Sequence, residues 1–146
     1  MSGSRPVNAI STIVGTYSGI RSDNFQAFMT QLGMPEQRLQ LYDIKKWHVT
    51  VSYNKQTETW SMNIAASVPK NNLVFKLGQP FKETSLDAQE CTSTITASPE
   101  SNTTWNYRQT CGERVTDCKM EFTGEELHVT FKCGMTEAKQ IYKKIK

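Results

Sequence analysis

Hydrophobic and polar positions change period once along this chain. Phe25, Phe28, Met29 and Leu32 recur at i, i+3, i+4 and i+7, the spacing of one apolar helix face. Asp23 stands where an N-cap would, with Gln26 three residues on as in a capping box, and Gly33 supplies the stop. Pro35 suits the first turn of a second short helix over 36–41, with Leu39 and Leu41 apolar. From Trp47 onward the period is two. Trp47, Val49, Val51 and Tyr53 alternate with His48, Thr50 and Ser52, and Trp60, Met62 and Ile64 alternate with Thr59, Ser61 and Asn63. The alternation returns at Leu73, Phe75 and Leu77, at Trp105 and Tyr107, at Cys118, Met120 and Phe122, and at Leu127, Val129, Phe131 and Cys133. Turn residues separate these runs, among them Pro69 to Asn72, Gly78-Gln79-Pro80, Ser98 to Asn102, Gly112-Glu113, Gly124-Glu125 and Gly134. An earlier strand is expected over 12–18, which is rich in β-branched residues and Tyr. Residues 1–11 are small, polar and aperiodic, so they read as a flexible extension to a single domain over 12–146. One helical pair followed only by strands predicts an all-β fold: an antiparallel up-and-down barrel capped by a helix-turn-helix.

Composition is poor in apolar residues for an ordinary dry core. Only 37% of the 146 residues are hydrophobic and 21% are charged. A wet barrel needs apolar residues on one strand face only. The net charge of +3 is too small for a nucleic-acid footprint. Lys139, Lys143, Lys144 and Lys146 read as a solvated terminal strand. No apolar run approaches the roughly 20 residues of a membrane-spanning helix. The first eight residues lack the apolar core of a secretory signal, which sets the expectation of a cytoplasmic protein.

The four cysteines, Cys91, Cys111, Cys118 and Cys133, form no CxxC pair, and there are only two histidines. Metal-ligand spacing is absent, and reduced thiols serving as small apolar side chains are expected. Asn102-Thr103-Thr104 matches a glycosylation sequon and reads as chance. His48 and His128 fall on polar strand faces, so no Ser–His–Asp or Cys–His constellation forms. Cys118 reads as an inert buried thiol. Neither enzyme chemistry nor a cofactor is expected, and the chain reads as a monomer.

Four stretches together resemble the intracellular lipid-binding proteins, the family of fatty-acid-binding and cellular retinoid-binding proteins. Gly15-Thr16-Tyr17 is similar to the family's opening strand, and Asp23 to Gly33 to its first helix. Phe75-Lys76-Leu77-Gly78-Gln79-Pro80-Phe81-Lys82-Glu83-Thr84 is the strongest match, and Gln140-Ile141-Tyr142-Lys143-Lys144 resembles the closing strand. The resemblance implies ten strands around a large cavity, entered past the helical lid, in a calycin-like carrier of a fatty acid, retinoid or other lipid.

It also implies where a ligand head would sit. The family grips a carboxylate with interior arginines and a tyrosine. Tyr142 keeps the tyrosine position, while Gln140 stands two residues before it in place of an arginine. An ungapped alignment puts Met120 at a second arginine position; a one-residue gap would put Lys119 there. Alternation turns Met120 inward, because the other register would bury Asp117, Lys119 and Glu121 together. A third arginine position falls on Gln89, with Asp87 in place of its acidic partner. Glutamines offer donor and acceptor together, which suits a neutral head. The apolar wall is expected from Phe25, Phe28, Met29, Trp60, Met62, Ile64, Phe75, Trp105, Tyr107, Val129 and Phe131. Arg38, Lys45 and Lys46 flank the second helix and suit either a solvated face or transient contact with an anionic membrane surface. Other readings stay open: a secreted lipocalin-like carrier with disulfides, an enzyme or light-active protein on the same barrel, or a scaffold without ligand.

Overall fold

The period-two runs become strands wherever a turn residue lets the chain reverse. In this computed structural model, which describes residues 5–65, 71–85 and 88–146, they are β1 (Gly15–Asp23), β2 (His48–Asn54), β3 (Thr59–Ala65), β4 (Asn71–Phe75), β5 (Phe81–Thr84), β6 (Glu90–Ser98), β7 (Ser101–Cys111), β8 (Arg114–Phe122), β9 (Glu126–Cys133) and β10 (Thr136–Lys144). All ten belong to one antiparallel sheet in the order β4-β3-β2-β1-β10-β9-β8-β7-β6-β5. Pairing of the first strand with the last curls the sheet into the expected barrel, and β4 and β5 are its two ends. Phe75 and Phe81 stack across that opening, ring centroids 5.5 Å apart.

Alternation sets which residues face inward. On β8, Thr116, Cys118, Met120 and Phe122 are buried while Asp117 and Lys119 are exposed. Met120 lies opposite Val129 on β9 and Trp105 on β7. The choice between Met120 and Lys119 is thus settled by the register.

β1 bends where its register with β10 shifts between Gly19 and Arg21. A Cβ on Gly19 would lie 2.1 Å from the Ile44 carbonyl oxygen. Only glycine lets the 3-10 turn Ile44–Lys46 lie this close, and the Gly19 amide donates to the Trp47 carbonyl at 2.9 Å.

The N-terminal segment departs from the expected extension. Helix α1 spans Arg5–Ile13, and the first strand begins at Gly15 instead of Thr12. Ala9 and Ile13 are buried in the core. The Tyr17 hydroxyl donates to the Ile13 carbonyl at 2.7 Å, and Lys144 Nζ donates to the Thr12 carbonyl at 3.3 Å. So few apolar residues among small polar neighbours make too faint a stripe to read in the sequence. Residues 1–4 lie outside the described part, as do Pro69 and Lys70 of an expected turn.

Helix α2 (Phe25–Gln31) buries Phe25, Phe28 and Met29 as its period requires. Its cap is Asn24 (φ 61°) with no side-chain cap bond, which replaces the expected Asp23 capping box. Both polar side chains are used elsewhere: Asn24 Nδ2 donates to the Glu137 carbonyl at 2.8 Å, and Gln26 Nε2 to the Leu39 carbonyl at 3.2 Å. The helix is therefore fastened to β10 and to helix α3 (Glu36–Leu39). α3 is only Glu36–Leu39, and Leu41, expected on its apolar side, is 60% exposed.

A second correction concerns the cysteines. Cys91 and Cys111 form a disulfide between β6 and β7, with Cα atoms 4.4 Å apart. The register that pairs Thr92 with Thr110 brings them opposite one another. Cys118 and Cys133 are free and buried. Among the described residues, no helix is long and apolar enough to cross a membrane.

Candidate functional site

Two aromatic clusters divide the barrel interior. At one end Trp105 meets Trp60, Phe75 and Phe122 at centroid distances of 4.9, 5.6 and 5.1 Å. Tyr17 meets Phe122 at 5.9 Å, and α1 lies against this end through Tyr17. At the other end Phe131 of β9 contacts Phe25 and Phe28 of α2, both at 5.1 Å, so the helical cap rests on the wall through its own apolar face.

Between floor and cap is a cavity lined by Phe25, Phe28, Leu32, Trp47, Val49, Met62, Ile64, Tyr107, Met120, Leu127, Val129 and Phe131, with Gln140 and Tyr142 on its wall. Water centres have about 120 Å³ to occupy in it. One water needs roughly 10–15 Å³, so there is room for several waters or part of a lipid chain. Of the fifteen residues singled out in the sequence for head and wall, Tyr142, Gln140, Met120, Phe25, Phe28, Met62, Ile64, Tyr107, Val129 and Phe131 come together here. Trp60, Phe75 and Trp105 pack the floor instead, and Met29 is buried without joining the lining. Gln89 is exposed at the β5–β6 turn, where its backbone amide donates to Ser85 Oγ at 3.1 Å. Its side chain is not part of the wall, because the inward positions of the adjoining strands are Glu83, Cys91 and Ser93. Asp87 lies outside the described residues.

The polar groups form two separate networks. Near the cap, the Tyr142 hydroxyl donates to Gln140 Oε1 at 2.7 Å, and Gln140 Nε2 donates to the Tyr42 hydroxyl at 3.3 Å. Burial pushes the Tyr142 hydroxyl well above the usual tyrosine range, with smaller contributions from Tyr42 and Cys118, so it stays neutral. The second network centres on Glu83, which is 8% exposed. Ser93 Oγ and the Tyr107 hydroxyl both donate to its Oε2. Oε1 is buried with no hydrogen-bond partner among the described residues, and Thr116 Oγ1 is in the same condition. Burial, then the Glu83 charge, raises Tyr107 well above its ordinary pKa.

Sequence reasoning passed over Glu83 as a site residue. Its stretch, Phe81-Lys82-Glu83-Thr84, shows a polar residue between two others, and only the pairing of Glu83 with Cys91 on β6 turns it inward. The described lining holds no Lys, Arg or His. Cys118 lines the cavity too, but burial and the nearby Glu83 push its thiol far up, away from the reactive thiolate. Among the described residues no group of three or more His, Cys, Asp or Glu could hold a metal ion.

No protein-family model matches the chain. Single relatives do. Intestinal fatty acid-binding protein of Rattus norvegicus is 30% identical over 132 residues, 89% of this chain and 96% of that protein. Fatty acid-binding protein 9 of Homo sapiens is 26% identical over 136 residues, covering 93% and 99%. Fatty-acid-binding protein 1 of Echinococcus granulosus superposes with a TM-score of 0.83 at 24% identity, covering 92% of this chain and 98% of that one. With the ten-strand order, the helical cap and near full-length similarity in agreement, the chain belongs to the fatty-acid-binding, intracellular lipid-binding protein family.

Proposed function

We propose that this protein is a monomeric, cytoplasmic carrier that holds a small hydrophobic ligand in the barrel cavity without covalent chemistry. The observation that carries the reading is the cavity itself: an apolar wall beneath a helical cap that rests on it through aromatic contacts. The names of the relatives, fatty acid-binding proteins, support a lipid as the ligand class.

The head is taken to carry no negative charge. Gln140 and Met120 stand at positions where the family resemblance puts arginines, and the described lining offers no cation. An unpaired buried carboxylate costs several kcal/mol. Exposed Arg38, Lys45 and Lys46 on the cap support transient contact with an anionic membrane surface during transfer.

Mass spectrometry of the organic extract of freshly purified protein tests the carrier reading, with bound lipid near one per protein as the expected result. A lipid-free extract, together with no uptake of lipid by the purified protein, would refute it. The head-group reading fails if a fatty acid binds the delipidated protein more tightly than retinol or a monoacylglycerol.

The Cys91–Cys111 disulfide favours a second reading, a carrier that works in an oxidising compartment. A thiol count on protein denatured without reductant separates the two: four free thiols support the cytoplasmic reading, and two support the other.

A further inference from the structure

The carrier reading leaves one group unexplained. Glu83 is more than nine-tenths buried, lines the cavity and is the charged side chain among its described lining residues. Its two oxygens are treated unequally. Oε2 receives the hydroxyls of Ser93 and Tyr107, whereas Oε1 is buried with no donor among the described residues. Leaving an acceptor buried and unpaired costs its full desolvation penalty, more so for a charged group.

The described lining residues do not supply the missing donor. Gln140, the nearest thing to a head-group residue in the sequence, has its amide engaged at both ends by tyrosines. Met120 has no donor at all. Thr116 Oγ1, also on the lining, has no partner of its own. The described wall therefore presents a carboxylate with spare acceptor capacity, a hydroxyl and no cation.

Resting on the carrier reading above, we propose that Glu83 is the head-group receptor of this cavity and that it takes a hydrogen-bond-donating cationic head, that of a long-chain primary amine. The protonated amine brings three donors and no acceptor. One of them meets the empty side of Glu83, and the opposite charges offset part of the cost of burying each. An alcohol supplies one donor without the charge. A fatty-acid anion brings a like charge to Glu83, and the described lining residues include no cation to relieve it. The cavity thus ranks amine over alcohol over carboxylate for chains of equal length.

The test uses the full-length protein, delipidated, at pH 7.4. Hexadecylamine, hexadecan-1-ol and palmitate each compete against bound N-phenyl-1-naphthylamine, an uncharged fluorescent probe. The amine is expected to bind at least tenfold more tightly than either competitor. In Glu83→Gln, checked for a retained melting transition, the amine falls to within about threefold of the alcohol. A palmitate affinity equal to that of the amine, an amine advantage below tenfold, or an advantage kept in Glu83→Gln overturns the proposal. The wild-type ranking needs no variant and decides the matter if Glu83→Gln does not fold. Failure of all three compounds to displace the probe, with a lipid-free extract, instead removes the carrier reading on which the proposal rests.

Discussion

The Tyr142 hydroxyl donates to the Gln140 amide oxygen at 2.7 Å, from two residues further along the same inward face of β10. Because Gln140 also donates to Tyr42, one amide joins the barrel wall to the segment after the helical cap. Gln140→Leu removes the acceptor of a buried hydroxyl and the donor to another. The expected loss is about 1–3 kcal/mol, the usual cost of an orphaned buried polar group. Urea denaturation reads it directly, and an unchanged midpoint would show that the network contributes nothing.

A positive charge placed at the same position should change the ligand preference. In Gln140→Arg the cavity gains a cation able to make charge-assisted bonds to a carboxylate. Palmitate affinity should rise at least tenfold while hexadecan-1-ol affinity changes less than twofold. Equal gains for both ligands would mean that the substitution reshaped the cavity and left its electrostatics immaterial.

Reduction of the Cys91–Cys111 bond should loosen the fold. The two cysteines are 20 residues apart in the chain, and closing a loop of that size in the unfolded chain is worth about 3 kcal/mol. Cys91→Ser/Cys111→Ser should lower the urea midpoint accordingly, and reductant should have no further effect on it. A wild-type protein equally stable with and without reductant would count against the bond.

Tyr17 makes the protein sensitive to alkali. It is wholly buried, and burial pushes its hydroxyl up to about 12. The unfolded chain releases this proton near the ordinary value of about 10, so between those limits the folded state holds more protons than the unfolded one. Stability is therefore unaffected below about pH 9 and falls as pH rises from 10 to 12, by up to about 3 kcal/mol. Tyr107 and Tyr142 act in the same direction. Tyr17→Phe should flatten part of this slope in unfolding curves taken from pH 8 to 12. An identical slope in the variant would assign the effect elsewhere.

Helix α1 is part of the packed structure, with Ile13 only 1% exposed. Ile13→Ala should cost about 2–5 kcal/mol by leaving a cavity beside Tyr17. A change under 0.5 kcal/mol would restore the view of the N-terminal segment as a loose extension.

Legibility in the sequence followed the strength of each residue's pattern. Met120 and Lys119 could be told apart because inward residues on β8 are Cys, Met and Phe and outward ones are charged. β5 and β6 carried no such signal: their inward residues include Glu83 and Ser93, which look no different from the polar residues beside them. Trp60 and Trp105 share the inward pattern of Met62 and Tyr107, so alternation marked all of them as interior without separating floor from cavity.

Side-chain period, turn residues and glycine positions act through neighbours close in the chain, and they marked the helical pair, the strands with alternating apolar residues and the inward faces of those strands, while the family resemblance supplied the arginine positions on which Met120 and Gln140 fall. Contacts between distant segments answer to a different control, since they exist only after the sheet has closed. The pairing register of β5, β6 and β7 chose the Cys91–Cys111 bond and gathered Ser93 and Tyr107 around Glu83, and packing of α1 seated Ile13 against Tyr17. A polar residue becomes a site when burial removes its water and register supplies its partners, and both are set by tertiary structure.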